Sequence, residues 1–336
     1  MRIRSYPLEK LKMTYLRKFF TYRFTNTFIV FVVMMLFFYF FTTNHIFVHP
    51  RNLRALSKLI PEIGIVTLGV GMLMICAEFD LSVGSVLPFC AFIFITLIKN
   101  GLNTFFALVI VLVAGAIFGL INGLITVKGY IPSFITTLGT MLLWRGVLYV
   151  IPRMMPFDLR AYLQPGSVFE SIFIHEIGGF FPIQVIWFVI VGLILGFLLH
   201  FHRFGNWVYA TGGNRLAAKA MGINTDLVKV TCFIIVGVLC SLVGVMETLR
   251  LETFASTLGR GFELKAIAAS VVGGTFLGGG IGSIVGIILG ILTIEFLENG
   301  LILMRVPVFG ISAFIGLAII IFVLLNTYIE RKRMGK

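Results

Sequence analysis

The sequence predicts an all-α integral membrane protein of about ten spans, some of them short or broken. Three observations carry this expectation. Mean hydropathy is +1.04 and 59% of the 336 residues are hydrophobic, while only 12% are charged, about half the share of a soluble domain. The apolar runs are long and do not alternate with period two, which favours helices over a transmembrane barrel. The charges gather at the chain ends and in short stretches between apolar runs.

Residues 1–23 form a basic segment with Arg2, Arg4, Lys10, Lys12, Arg17, Lys18 and Arg23, and residues 331–336 carry Arg331, Lys332, Arg333 and Lys336. The positive-inside bias places both termini in the cytoplasm. It also accounts for the formal net charge of +13 without nucleic acid as a partner. The first apolar run, 24–43, is too long for a signal-peptide core and lacks a clear small-residue cleavage site, so it reads as a retained span. Further spans follow at 63–77, 81–98, 104–127, 131–150 (interrupted by Arg145), 183–199, 230–247 and 306–327.

Residues 266–294 carry no charge. As one helix they would reach roughly 43 Å, too long for a hydrocarbon core of about 30 Å. Their centre, GGTFLGGGIGS, breaks a helix, so two short helices joined by irregular backbone are expected. Such backbone is tolerated at membrane depth only where protein shields it or it lines a wet cavity.

The count is then ten spans in one transmembrane domain, 24–330. The polar loop 200–229 lies inside and the proline-bearing segment 151–182, with Pro152, Pro156, Pro165 and Pro182, lies outside. Arg51, Arg54 and Lys58 fall outside, against the usual bias, and an interfacial amphipathic helix is expected there. Two sets of five spans would run in opposite senses, as in inverted-repeat carriers. Internal similarity is faint: AGAIFGLING at 114–123 and GSIVGIILG at 282–290 are both rich in small residues, as closely packed membrane helices generally are.

No catalytic, metal or cofactor site emerges. Cys76, Cys90, Cys232 and Cys240 all lie in apolar spans, and no Cys/His set has metal-ligand spacing. The glycine cluster lacks the Lys-Ser/Thr of a phosphate-binding loop, so ATP, if it drives transport, belongs to another chain. In AEFDLSVGS, 77–85, Asp80 and Ser82 read either as a broken helix at a transport pathway or as an ordinary helix cap. Asn122, beside Gly119 and Gly123, reads as a bond to another helix. Arg145 is expected to snorkel or to meet a carboxylate. Glu247, Arg250, Glu252, Glu263 and Lys265 read first as interface charges and second as gate residues. Glu295 and Glu298 sit one helical turn apart; with Asp80 they are what an ion-gradient-driven secondary transporter would use. In the loop, NRLAAKAMGI reads as a short helix stopped by Gly222, with Arg215 and Lys219 free to meet acidic groups. The alternative is a solvated crossing loop.

Four ordered blocks resemble the ribose-type sugar permease family of bacterial ABC importers. They are FDLSVGS at 79–85, INGLITVKGYIPSFITTLGTMLLWRG at 121–146, FGNWVYATGGNRLAAKAMGI at 204–223 and ELKAIAASVVGGTFLGGGIGSIVGIILG at 263–290. The resemblance implies that residues 212–223 form a coupling helix that docks on a cytoplasmic ABC ATPase subunit. Gly213, Asn214, Arg215, Ala217, Ala218 and Gly222 match the family's motif there. It further implies an extracytoplasmic solute-binding protein, a second permease subunit (identical or paralogous), ATP and Mg on the ATPase, and no cofactor on this chain. Asp80, Ser82, Asn122, Gly278, Gly279, Gly280 and Gly282 are the expected solute-pathway positions. The chain departs from the family pattern at Cys76, Ala77, Glu78 and Phe79, where two glycines and an isoleucine are common before the aspartate.

Overall fold

Thirteen α-helices occur among the described residues of the computed structural model, 24–151, 157–159, 162 and 167–333. The basic segment 1–23, the last residues 334–336, Pro152, Pro156, Pro165 and the side chains of Arg331, Lys332 and Arg333 lie outside the described residues. In chain order the helices are α1 (Phe24–Phe41), α2 (Pro50–Ile75), α3 (Val83–Lys99), α4 (Thr104–Lys128), α5 (Ser133–Val150), α6 (Val168–Ile174), α7 (Ile183–His200), α8 (Arg203–Gly213), α9 (Arg215–Ala220), α10 (Thr225–Leu251), α11 (Phe262–Val272), α12 (Ile284–Leu303) and α13 (Val308–Arg333). Leaving out α6, α8 and α9, the order matches the ten expected spans. Six helices, α2, α4, α5, α7, α10 and α12, are long and apolar enough to cross a membrane, and α1, α3 and α13 contain shorter apolar stretches. The chain is an integral membrane protein.

Tertiary contacts give the bundle two ends. The proximal end carries the α2–α3 junction, α8 and α9, and residues 273–283. The distal end carries residues 43–48, 157–159, 167–182 and 252–254. There two short antiparallel strand pairs form, 157–158 with 253–254 and 176–177 with 181–182.

The core is built on α2 and α10. Their most apolar windows are 89% and 78% buried, against 28–33% for α4, α5 and α7, so these two central helices are shielded while the others present apolar faces outward. Glycines let α4 cross close against α10. A Cβ on Gly115 would run into the Gly237 carbonyl, and one on Gly119 into that of Phe233. In the second half, Gly286 and Gly290 lie against the carbonyls of Gly273 and Ala269. The two small-residue stretches therefore serve non-equivalent contacts, α4 with α10 and α12 with α11.

Besides α10, which begins at Thr225 inside the expected loop 200–229, three boundaries differ from expectation. The span at 63–77 begins at Pro50, with His49 Nδ1 accepting the Arg51 amide as the cap. No separate interfacial helix forms. Arg54 and Lys58 pair with Glu176 across the distal end, and Glu62 accepts two bonds from Arg250, at 2.7 and 2.8 Å. Charges read as marking a boundary are instead partnered along one continuous helix. Hydrogen bonds from Lys58 and then Arg54 hold the Glu176 carboxyl below the usual carboxylate range. Second, the break within 266–294 falls at 273–283 as expected, but the helix after it runs to Leu303 and is not short. Its Glu295 and Glu298 both pair with Lys265, at 2.6 Å each. Third, the last helix begins at Val308 and continues into the basic tail.

Candidate functional site

α2 ends in a Schellman turn. The Ala77 amide donates to the Met74 carbonyl at 2.9 Å and the Glu78 amide to that of Leu73 at 3.2 Å. This turn needs one residue in the left-handed region, and Ala77 supplies it at φ +62°. An alanine there is strained where a glycine is not. Ala77→Gly is therefore expected to stabilise the protein by about 1 kcal/mol in chemical unfolding from mixed micelles. A less stable variant would mean that the Ala77 methyl's contact with Gly279 outweighs the strain.

Beyond the turn, side chains replace the missing helical bonds. Ser133 Oγ accepts the Phe79 amide and Thr137 Oγ1 the Leu81 amide, both at 3.0 Å. Asp80 Oδ1 accepts the Ser82 amide at 2.8 Å and the Ser82 hydroxyl at 2.6 Å. Asn122 Nδ2 donates to Ser82 Oγ at 2.7 Å. Asp80, Ser82 and Asn122 thus form one network, each only 1–2% exposed. Asp80 does not cap a helix by itself, since Ser82 is the N-cap of α3 and its side chain makes no cap bond. The three residues sit sealed between α3, α4 and α5, and irregular backbone at this depth is tolerated because protein satisfies it.

The glycine segment abuts the start of the same break. The Gly280 amide donates to the Ile75 carbonyl at 2.8 Å. Gly279 lies against Ala77, Gly282 against the Ile75 side chain, and Gly278 against its neighbour Phe276. The pathway residues named from sequence therefore form two groups, with Ile75–Ala77 between them.

A second break lies before α11. At about 16 Å this helix cannot cross the hydrocarbon core. Its first turn meets that of α3, because a Cβ on Gly84 would run into the Glu263 carboxylate. Arg145 spans the junction, donating to the Ser256 carbonyl at 3.0 Å and to that of Gly84. It pairs with backbone, not with a carboxylate, because Pro88 has no amide proton to offer the Gly84 carbonyl within α3 and Ser256 lies in the irregular backbone before α11.

The end of α8, from which α9 continues, lies on the first break. Gly212 is pressed against the Ile75 carbonyl and Gly213 against Gly280, and Tyr209 Oη donates to the Gly282 carbonyl at 2.8 Å. Gly213 ends α8, so the helix expected over 212–223 covers only 215–220. Asn214 Oδ1 caps it by accepting the Ala217 amide at 3.0 Å. Gly222 stops it at φ +82°, in a second Schellman turn whose closing bond runs from the Ile223 amide to the Ala218 carbonyl at 3.1 Å. Ala217 is exposed and Ala218 buried. Arg215 and Lys219 share Asp226, at 2.8 and 3.4 Å, so their acidic partner is within the chain. Leu216 and Met221 are 81% and 82% exposed.

Sequence reading missed the pair between Glu78 and Lys229. Both side chains are 9% exposed, and the pair sits beside Arg215, Thr126 and Tyr130 at a cavity of about 240 Å³. The available signal was two opposite charges, each next to an apolar run. Glu247, read as an interface charge, is buried in the outer part of α10. The four cysteines are free and buried, and no metal-ligating cluster occurs among the described residues.

Residues 53–326 match the family model described as branched-chain amino acid transport system / permease component. The chain is 34% identical to the ribose import permease protein RbsC of Escherichia coli K12, over 80% of this chain and 82% of that one. It is 33% identical to the xylose/arabinose import permease protein XylH of Sulfolobus acidocaldarius, over 86% and 81%. It is 30% identical to the autoinducer 2 import system permease protein LsrC of Photorhabdus luminescens, over 77% of each. No solved structure matches the chain.

Proposed function

The chain belongs to the family of branched-chain amino acid transport system permease components, and from that membership we propose that it carries a sugar or sugar-like solute into the cell as one subunit of an ATP-driven importer. Its relatives, named as import permeases for ribose, for xylose/arabinose and for autoinducer 2, support the solute class. In this reading the chain itself catalyses no reaction. ATP and Mg bind a separate ATPase subunit, a soluble protein delivers the solute, and a second permease subunit completes the pathway. The proximal end and both termini face the cytoplasm, and the distal end faces outward.

One observation carries the reading: the end of α8, from which α9 continues, rests on Ile75 and Gly280, where the two interrupted segments of the fold meet. Because Gly212 and Gly213 contact backbone with no side chain between, a displacement of this segment is passed on directly; packed interfaces switch between arrangements more readily than they deform. Leu216 and Met221, exposed on a short helix capped at both ends, suit a groove on the ATPase. The ion-gradient alternative lacks comparable support, because Lys265 holds both Glu295 and Glu298 and Ser82 occupies Asp80.

The test is co-purification with the ATPase encoded beside this gene. The intact chain is expected to form a stable complex, and a chain with residues 214–222 replaced by a Gly/Ser linker is expected to lose it while still inserting. A complex that survives the replacement sinks the docking assignment. Folded chains with no complex in either case sink the ATP-driven reading.

A further inference from the structure

At the distal end a cavity of about 840 Å³ opens between the 43–48 turn, the start of α2 and the end of α12, lined by Asn44, His49, Arg51, Asn52, Ile302 and Arg305 among others. No carboxylate lines it. Arg54 and Lys58, one and two turns further along α2, share the Glu176 carboxylate; neither Arg51 nor Arg305 has a carboxylate partner among the described residues. The N-terminus of α2 adds its positive dipole end to the same place.

The cavity is built, not incidental. Asn52 and Asn299 exchange two hydrogen bonds, at 2.9 and 3.0 Å, tying α2 to α12 at its floor. Asn52 also donates to the Phe47 carbonyl at 2.8 Å. Three non-glycine residues here hold left-handed backbone: Asn44 at φ +53°, His45 at +51° and Arg305 at +60°. Arg305 is the left-handed residue of the Schellman turn that ends α12, with the Val306 amide donating to the Leu301 carbonyl at 3.1 Å, so its backbone is fixed at the cavity rim.

We propose that this cavity holds the phosphate headgroup of an anionic phospholipid. Charge decides for an anion, and position decides for a lipid. Ile46 and Ile302 beside the cations are about half exposed, and Phe40 and Phe41 at the end of α1 are 69% and 65% exposed. A ligand seated here lies with its charge against the cations and its remainder against this apolar surface, which suits a headgroup with acyl chains. A headgroup phosphate also explains why Arg51 and Arg305 stand on a side where the positive-inside bias disfavours them. The inference depends on the distal end lying at a membrane surface and not on which solute is carried.

Native mass spectrometry of the full chain, released from nanodiscs containing equal phosphatidylglycerol and phosphatidylcholine, tests it. The wild-type chain is expected to retain phosphatidylglycerol selectively. Arg51→Gln with Arg305→Gln should weaken retention roughly fivefold per guanidinium and about 25-fold together, while the Lys/Lys double variant keeps it. Ala55→Trp, which fills the cavity from an exposed position and leaves both cations in place, should also expel the lipid. It provides a second reading if the Gln pair fails to fold. Unchanged retention in the Gln pair or in Ala55→Trp, or equal retention of the two lipids, overturns the proposal. Displacement by inorganic phosphate at equal concentration would assign the site to a soluble anion and overturns it too.

Discussion

Lys229→Met is expected to destabilise the folded protein by about 3 kcal/mol, the lower end of the range for removing one partner of a buried ion pair. The substitution leaves Glu78 with no cation in a place where its side chain is 9% exposed. The adjoining cavity of about 240 Å³ has room for water, which keeps the loss at that lower end. The double variant Glu78→Gln, Lys229→Met removes both charges and should recover most of the loss, because the pair's own desolvation cost offsets much of its attraction. Unfolding in mixed micelles over the four-member cycle measures the coupling directly. A double variant as unstable as Lys229→Met alone would show that the pair matters through packing and not through charge. The pair joins the α2–α3 break to α10 directly beside Arg215 of α9, so the same four proteins are informative for transport: variants of normal stability but lowered uptake would place the pair within the coupling path.

Gly237→Leu is expected to cost about 3 kcal/mol or more, the upper part of the range for overpacking. α4 and α10 approach until Gly115 and Gly237 meet backbone to backbone, and a side chain on either would occupy the other's carbonyl. No rotamer relieves such an overlap; the helices must separate, and the neighbouring contacts of Gly119 with Phe233 and Gly123 with Val230 are lost with them. Gly139→Leu makes the matched control, since nothing lies within 4 Å of a Cβ there. It should leave stability within about 0.5 kcal/mol of the wild type. Equal losses in the two variants, read from the folded fraction after detergent extraction, would refute the close crossing.

The helices were legible because each arises locally. Continuous apolar runs mark the spans, the run of glycines at 273–283 breaks a helix by its own backbone freedom, and Asn214 and Gly222 bracket α9 as a cap and a stop within a few residues. Charge was less legible. Arg51, Arg54 and Lys58 suggested a separate interfacial helix before the span, yet α2 runs through all of them, because Glu176, more than a hundred positions away, meets Arg54 and Lys58. Arg145 was expected to snorkel or to meet a carboxylate, and what it finds are two carbonyls distant in sequence, that of Gly84, freed by Pro88, and that of Ser256 in the turn before α11. Asp80, Ser82 and Asn122 stand out in the sequence as polar groups among apolar runs, but their arrangement as one sealed hydrogen-bonded network requires knowing that α4 lies beside the break.

The sequence by itself determined that the chain spans a membrane, where its helices lie to within a few residues at most ends, where two of them break, and through four ordered motifs which family it belongs to. These properties follow from hydrophobicity, backbone conformational preference and residue order, all of which act over short stretches of chain. Tertiary structure alone decided which charges are neutralised, which glycines are pressed against a neighbouring carbonyl, and that the end of α8 rests where the two broken segments meet. At membrane depth a polar group without a partner costs several kcal/mol, so its role is set by whatever the fold brings within about 3 Å of it, and that is a property of three-dimensional packing that no local pattern encodes.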